Sequence, residues 1–250
     1  MTATQIISLI LLGTASGFIN MFAGGGSMLV VPFLIFLGLP ANVANATNRV
    51  AIFLQNIVST TTFRQKKILN FKTDYKLLIP TTLGSIGGAI FAVDIQEDVL
   101  EKIIGGLLLV LFCMILFDPN RWVKANAEHA KAKNPILRFL IFFGIGFYGG
   151  FIQIGVGFFL LAGIVLGCGV DLLKANALKV MLVLFYTIIA LAIFIWHDLI
   201  EWSTGLILSC GNMFGAWLGT HLSIQWGAKY IRYILLIAIV VVAFKLLGFF

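Results

Sequence analysis

The sequence predicts an all-α polytopic membrane protein made of two homologous halves in inverted orientation, with eight to ten transmembrane or half-spanning helices. Three observations carry this. Of 250 residues, 60% are hydrophobic and only 11% are charged, outside the range of a water-soluble chain of this size, and mean hydropathy is +1.06. The apolar stretches, measured against the roughly 20 helical residues that cross a hydrocarbon core, divide into ten segments. The chain also matches itself at a shift of 131 residues without a gap. A soluble enzyme is excluded, and 26 glycines in long apolar runs fit packed helices better than the alternating strands of a barrel.

In the first half the segments run from Gln5 to Phe22, Met28 to Leu39, Ala44 to Phe63, Leu77 to Val93 and Val99 to Phe117. In the second they run from Pro135 to Ile152, Phe158 to Gly169, Ala175 to Trp196, Ser203 to Leu222 and Ile231 to Phe249. The second of each set is too short to span an ordinary bilayer and follows a glycine-rich break, so it reads as a half-helix, either re-entrant or hairpinned with the segment before it. The start has no Lys or Arg and the first charge is Arg49, so no signal peptide is read and the first segment stays as structure. The repeat sets Gly13, Gly24 and Gly26 on Gly144, Gly155 and Gly157, and Ala44-Asn45-Ala46 on Ala175-Asn176-Ala177. It also sets Gly84-x-x-x-Gly88 on Gly215-x-x-x-Gly219, which reads as a helix-packing surface. The organisation that follows is a first repeat over 1–118, a basic linker over 119–134 and a second repeat over 135–250.

Seventeen Lys and Arg against ten Asp and Glu give a net charge of +7, which in a membrane protein reads as cytoplasmic loops rather than a nucleic-acid surface. Arg64, Lys66, Lys67, Lys72 and Lys76 mark one inside loop, the linker a second, and Lys229 with Arg232 a third. The loops around Asp94, Glu97 and Asp98 and around Asp198 and Glu201 lack basic residues and fall outside. The loop after the third segment is therefore basic in one half and acidic in the other, which is inverted topology, with both termini external. Trp122, Trp196, Trp202 and Trp226 fall near segment ends as interface anchors. Cys113, Cys168 and Cys210 lie in apolar stretches without Cys-x-x-Cys spacing and read as packing residues, so neither a disulfide framework nor a metal is expected.

Inverted repeats with interrupted helices point to a secondary transporter whose substrate lies between the halves. Gly24-Gly25-Gly26-Ser27 precedes the half-helix containing Pro32; glycines let the chain turn at positive φ, and a helix starting there aims its positive end at an anion. Gly155 and Gly157, beside Gln153, form the counterpart. The plainer reading of both is close packing through small residues. On the third segment Asn45, Asn48 with Arg49, and Gln55 with Asn56 make one polar stripe. At 1.5 Å per residue Arg49 stands roughly 13 Å past Pro40, near the bilayer centre. A cation there costs about 2.5 to 3.5 kcal/mol and needs a partner, yet no Asp or Glu precedes Asp74. Asn176 and Lys179 are the second-half counterparts. The expected anion site therefore uses backbone N–H groups of Gly24 to Ser27 and Gly155 to Gly157, the amides of Asn45, Asn48 and Asn176, and the charges of Arg49 and Lys179. Asp171 is a competing neighbour of Lys174 or Lys179; snorkelling of Arg49 and Lys179 to opposite interfaces is the alternative. His197 and His221 lie at segment ends without His-Glu-x-x-His or Gly-x-Ser-x-Gly, so catalysis, cofactor and metal are not expected. An anion channel, and behind it a membrane-embedded enzyme, are the rival functions.

Ala23-Gly-Gly-Gly-Ser-Met-Leu-Val-Val-Pro32, Gly38-Leu39-Pro40 and Ala44-Asn-Ala-Thr-Asn48 resemble the TauE/SafE family of sulfite exporters and related organosulfur-anion transporters. The resemblance covers nearly the whole chain. It implies a multi-pass protein of the bacterial inner membrane that exports sulfite or a small sulfur-containing anion, with the lipid bilayer as surroundings and the glycine turns and third-segment starts lining the site. In the second half Val156 interrupts the glycines, no proline follows, and Leu178-Lys179 stands where the family has a Thr-Ser type pair.

Overall fold

In the computed structural model, backbone is described for residues 1–22, 24–70, 75–117 and 135–246, and side chains for all of these except 108–117 and 226–246. The linker expected over 119–134, with Trp122, lies outside the described residues, as do Ala23, Lys72 and Thr73. The side chains of Cys113, Trp226, Lys229 and Arg232 also lie outside them.

Among the described residues every regular element is helical. The first half gives α1 (Ala3–Phe22), α2 (Ser27–Phe36) and α3 (Ala41–Gln65). After a 3-10 turn (Tyr75–Leu77) come α4 (Leu78–Asp94) and α5 (Glu97–Phe117). The second half gives α6 (Pro135–Phe151), α7 (Val156–Cys168), α8 (Leu172–Trp196) and α9 (Trp202–Leu246). By length and composition, Ala3–Phe22, Tyr75–Asp94 and Leu172–Trp196 are long and apolar enough to cross a membrane. Helix α3 has the length, 25 residues, but carries the polar stripe. At 1.5 Å per residue, α2 with 10 residues and α7 with 13 are only about 15 and 20 Å long. They are short helices behind glycine turns, as the sequence suggests.

One expectation changes. The segments Ser203 to Leu222 and Ile231 to Phe249 do not form separate helices: α9 runs unbroken from Trp202 to Leu246, through the positions of Lys229 and Arg232 where a loop is expected from charge. A charged residue ends a membrane span but not a helix, since Lys and Arg are good helix formers.

The shift of 131 also relates two helices and two turns. Adding 131 to both ends of α3 gives both ends of α8, and Gly24 and Gly155, one shift apart, both turn the chain at positive φ, 75° and 70°. The halves exchange helices, α1 packing along α9 and α6 along α4, while α3 and α8 meet at the centre. Glycines set these contacts. A Cβ on Gly84 or Gly88 would collide with the carbonyls of Phe143 or Phe147, and one on Gly215 with Thr14 O, so the Gly-x-x-x-Gly pairs are packing surfaces.

Apolar side chains face outward, Phe36 being 85% and Trp196 86% exposed, while polar side chains fill the middle. Asn45, Asn48, Arg49, Gln55, Asn56 and Ser59 of α3 are all buried. Two buried apolar clusters flank this centre, one holding Phe22, Phe142 and Tyr186, the other Leu34, Ile152 and Phe194.

Candidate functional site

Helix α1 ends at Phe22, two residues before Gly24, and Asn20 of its last turn closes the turn that follows. Its backbone carbonyl accepts from Gly24 N at 3.1 Å and its Oδ1 accepts from Gly26 N at 2.7 Å. Two of the N–H groups expected to face a ligand are thus taken inside the turn. Gly25 packs on the ring of Phe158, and Gly26 lies against Ser16. Gly24 and Gly157 touch: a Cβ on either would overlap the Cα of the other. The two glycine turns therefore meet back to back, and close approach is one reason for glycine at both positions.

The third helices reach across the halves to hold these turns. Asn45 Nδ2 donates to Phe151 O at 2.8 Å, and Asn176, its repeat partner, donates to Met21 O at 2.5 Å. Arg49 Nη1 donates to Gly149 O at 2.9 Å and Nη2 to Gly150 O at 2.7 Å. Lys179 Nζ donates to Asn20 O at 2.7 Å. Each cation, with an asparagine, thus caps the C-terminus of the other half's first helix. Helix ends leave carbonyls unpaired and carry about half a negative charge, which supplies the partner that no carboxylate provides. At about 1.5 to 3 kcal/mol for each hydrogen bond to a charged group, two such bonds offset the insertion cost of an arginine. The guanidinium also sits over the Phe194 ring, 4.8 Å from its centroid. Arg49 is fully buried and Lys179 2% exposed, so neither snorkels. Asp171 caps α8 instead, its Oδ1 accepting from Leu173 N and Lys174 N at 2.9 and 3.0 Å.

A cavity of about 20 Å³ opens between the turns, room for a water-sized sphere. Of the expected residues, Gly24, Ser27, Gly157 and Lys179 line it. Asn48 stands behind, its Nδ2 donating to Ser27 Oγ at 3.1 Å. Gly25, Gly26, Asn45, Arg49, Gly155 and Asn176 build the surrounding turns and clasps without lining it. The cavity adds Asn20, Gln55, Asn56 and Gln153 to the expected set. Gln55 and Asn56 were legible on the stripe of α3, and Gln153 as the amide beside the second turn; Asn20 carried no signal beyond standing one turn before the glycines. Among the described residues no carboxylate or histidine lines the cavity, and no cluster of His, Cys, Asp and Glu suits a metal. Chemically this is a cavity of one ammonium, several amides and a hydroxyl, suited to holding an anion.

Residues 9–246 match the family model described as "Sulfite exporter TauE/SafE". The chain is 34% identical over 236 residues to the "Probable membrane transporter protein YfcA" of Escherichia coli (strain K12), covering 93% of this chain and 86% of the relative. It is 27% identical over 233 residues to the "Probable membrane transporter protein ORF9" of Sinorhizobium sp, covering 93% and 88%. It is 26% identical over 269 residues to the "Probable membrane transporter protein YjnA" of Bacillus subtilis (strain 168), covering 96% and 99%. No solved structure matches. With almost its full length matched, and with short helices behind glycine turns around a central polar cavity, the chain belongs to the TauE/SafE family of membrane transporters.

Proposed function

We propose that the protein exports sulfite or a related small sulfur-containing anion across the bacterial inner membrane, between two halves of opposite orientation. The observation that carries the reading is Lys179, a buried cation on a cavity that no carboxylate lines among the described residues. An ammonium so placed attracts an anion and repels a cation. The family model's description supports a sulfur oxyanion. Gly24, Ser27, Gly157 and Lys179 act at the cavity; Gly25, Gly26, Asn45, Asn48, Arg49, Gly155 and Asn176 hold the turns that shape it. The expectation that Arg49 shares the anion becomes a supporting role, because its guanidinium is occupied by Gly149 and Gly150. Contact between Gly24 and Gly157 favours a carrier, whose halves part to admit substrate, over an open channel.

The transport is electrogenic. An anion leaving an inside-negative cell gains about 2.3 kcal/mol per charge per 100 mV, enough for a gradient of about fortyfold, and among the described residues no carboxylate or histidine lines the cavity. Sulfite efflux from proteoliposomes, with potential and pH gradient clamped separately, tests this. Efflux that follows the potential supports it; efflux that ignores the potential and follows a proton gradient at constant substrate ionisation overturns it. Single cysteines at Lys66 and Asp198 that label from opposite sides support the inverted halves, and labelling from one side removes them.

A further inference from the structure

Two glutamines face the cavity with their polarity fixed. Gln55 of α3 and Gln153 in the turn before α7 are 2% and 3% exposed, and both line it. Each side-chain oxygen is occupied by two donors. Gln55 Oε1 accepts from Asn20 Nδ2 at 3.3 Å and Asn212 Nδ2 at 3.1 Å. Gln153 Oε1 accepts from Arg49 Nη1 at 3.3 Å and from the Tyr186 hydroxyl at 3.1 Å.

An amide's direction follows from its network, and both networks start from groups that can only donate. A guanidinium has no acceptor, so the oxygen of Gln153 is the end that meets Arg49. The Gly26 N–H takes Asn20 Oδ1, which turns Asn20 Nδ2 toward Gln55 and fixes the oxygen of Gln55 in turn. Both Nε2 groups are left without a protein partner among the described residues, and neither belongs to the sealed, unpaired atoms of the interior. They open onto the cavity. Gln153 is also held at φ 67°, a left-handed conformation rare for a residue with a Cβ, and such strain concentrates at ligand sites.

We propose that Gln55 and Gln153 bind the transported anion, their NH₂ groups donating to its oxygens beside the Lys179 ammonium. The ligand class is a small oxyanion offering acceptor oxygens to several donors at once. Ser27 adds its hydroxyl, since its oxygen already accepts from Asn48. Asn56 is the counter-example on the wall: its Nδ2 donates to Ile52 O at 2.7 Å, so its oxygen remains as an acceptor. A ligand ammonium would find that one side-chain acceptor and the like charge of Lys179.

This inference rests on the anion reading, and one experiment separates the two. Sulfite binding is measured by calorimetry and thermal shift on purified full-length protein in detergent, for wild type, Gln55→Glu, Gln153→Glu and Gln153→Met. A glutamate keeps the acceptor that Arg49 and Tyr186, or Asn20 and Asn212, require, so the ligand-free melting temperature holds or rises while the cavity-facing NH₂ becomes an oxygen. Sulfite Kd is expected to weaken tenfold or more in each glutamate variant, and roughly tenfold in Gln153→Met. Kd within twofold of wild type in both glutamate variants overturns the glutamine assignment alone. A wild-type protein that binds none of sulfite, sulfoacetate and thiosulfate overturns the anion reading and this inference with it.

Discussion

The two clasps between the halves occupy matching places and do different work. On one side Asn45 and Arg49 hold Gly149, Gly150 and Phe151 at the end of α6; on the other, Asn176 and Lys179 hold Asn20 and Met21 at the end of α1. The asparagines are repeat partners, but the cations are not. Lys179 stands one shift from Asn48, and Arg49 one shift from Val180. The guanidinium forks over two carbonyls, touches Gln153 and is covered by Phe194. The ammonium has one protein acceptor among the described residues and stands on the cavity wall. A planar fork satisfied on several sides is a structural fastening, whereas a compact ammonium with donors to spare is available to a ligand. Under the proposed repeat and the proposed anion site, the two clasps share a geometry, one copy serving to hold and the other to bind.

Breaking the first clasp is expected to have the largest effect on folding. Arg49→Met leaves Gly149 O and Gly150 O buried without their donors, at roughly 3 kcal/mol or more. It should sharply lower the monodisperse yield and melting temperature in detergent, with Arg49→Lys recovering part of both. An Arg49→Met protein as stable as wild type would remove the fastening role.

The helix pairs sharpen the same comparison at a smaller scale. Gly13 and Gly144 are repeat partners, yet a Cβ on Gly13 would lie 2.5 Å from Leu208 O, while one on Gly144 meets nothing within 4 Å. Gly13→Ala should cost about 1 to 3 kcal/mol by overpacking. Gly144→Ala should be neutral or gain up to about 1 kcal/mol from helix propensity. Equal melting temperatures for the two variants would mean that the first helices of the halves pack alike.

Glu201 gives the smallest effect. Burial raises its pKa, but hydrogen bonds from Thr204 and Ser203 outweigh this and hold the carboxyl below its ordinary value. A depressed folded-state pKa stabilises above the unfolded value, and that contribution disappears as pH falls through the folded one. Wild type and Glu201→Gln should therefore differ slightly in melting temperature near neutrality and converge below about pH 4. A difference that grows on acidification would contradict the stabilising role of these hydrogen bonds.

Much of the frame was legible in the sequence. The shift of 131 that aligned Ala44-Asn45-Ala46 with Ala175-Asn176-Ala177 also aligns the bounds of α3 and α8, and a self-match needs no contact to be seen. The glycine turns were legible because turning at positive φ and close approach both need glycine. The partners of Arg49 were not, since they are backbone carbonyls a hundred positions away, present in every residue and marked by none. The continuity of α9 was hidden because Lys229 and Arg232 break hydropathy without breaking a helix. The direction of Gln55 and Gln153 depends on which end of an amide meets a neighbour, and only three-dimensional contacts carry that.

The division of labour between the clasps is tested most directly by sulfite efflux from proteoliposomes carrying Lys179→Met at a fixed inside-negative potential. The expected result is a protein purified at near wild-type yield whose efflux falls to that of protein-free vesicles. Efflux at the wild-type rate would show that the anion does not use Lys179, and would contradict the assignment of the second clasp to binding.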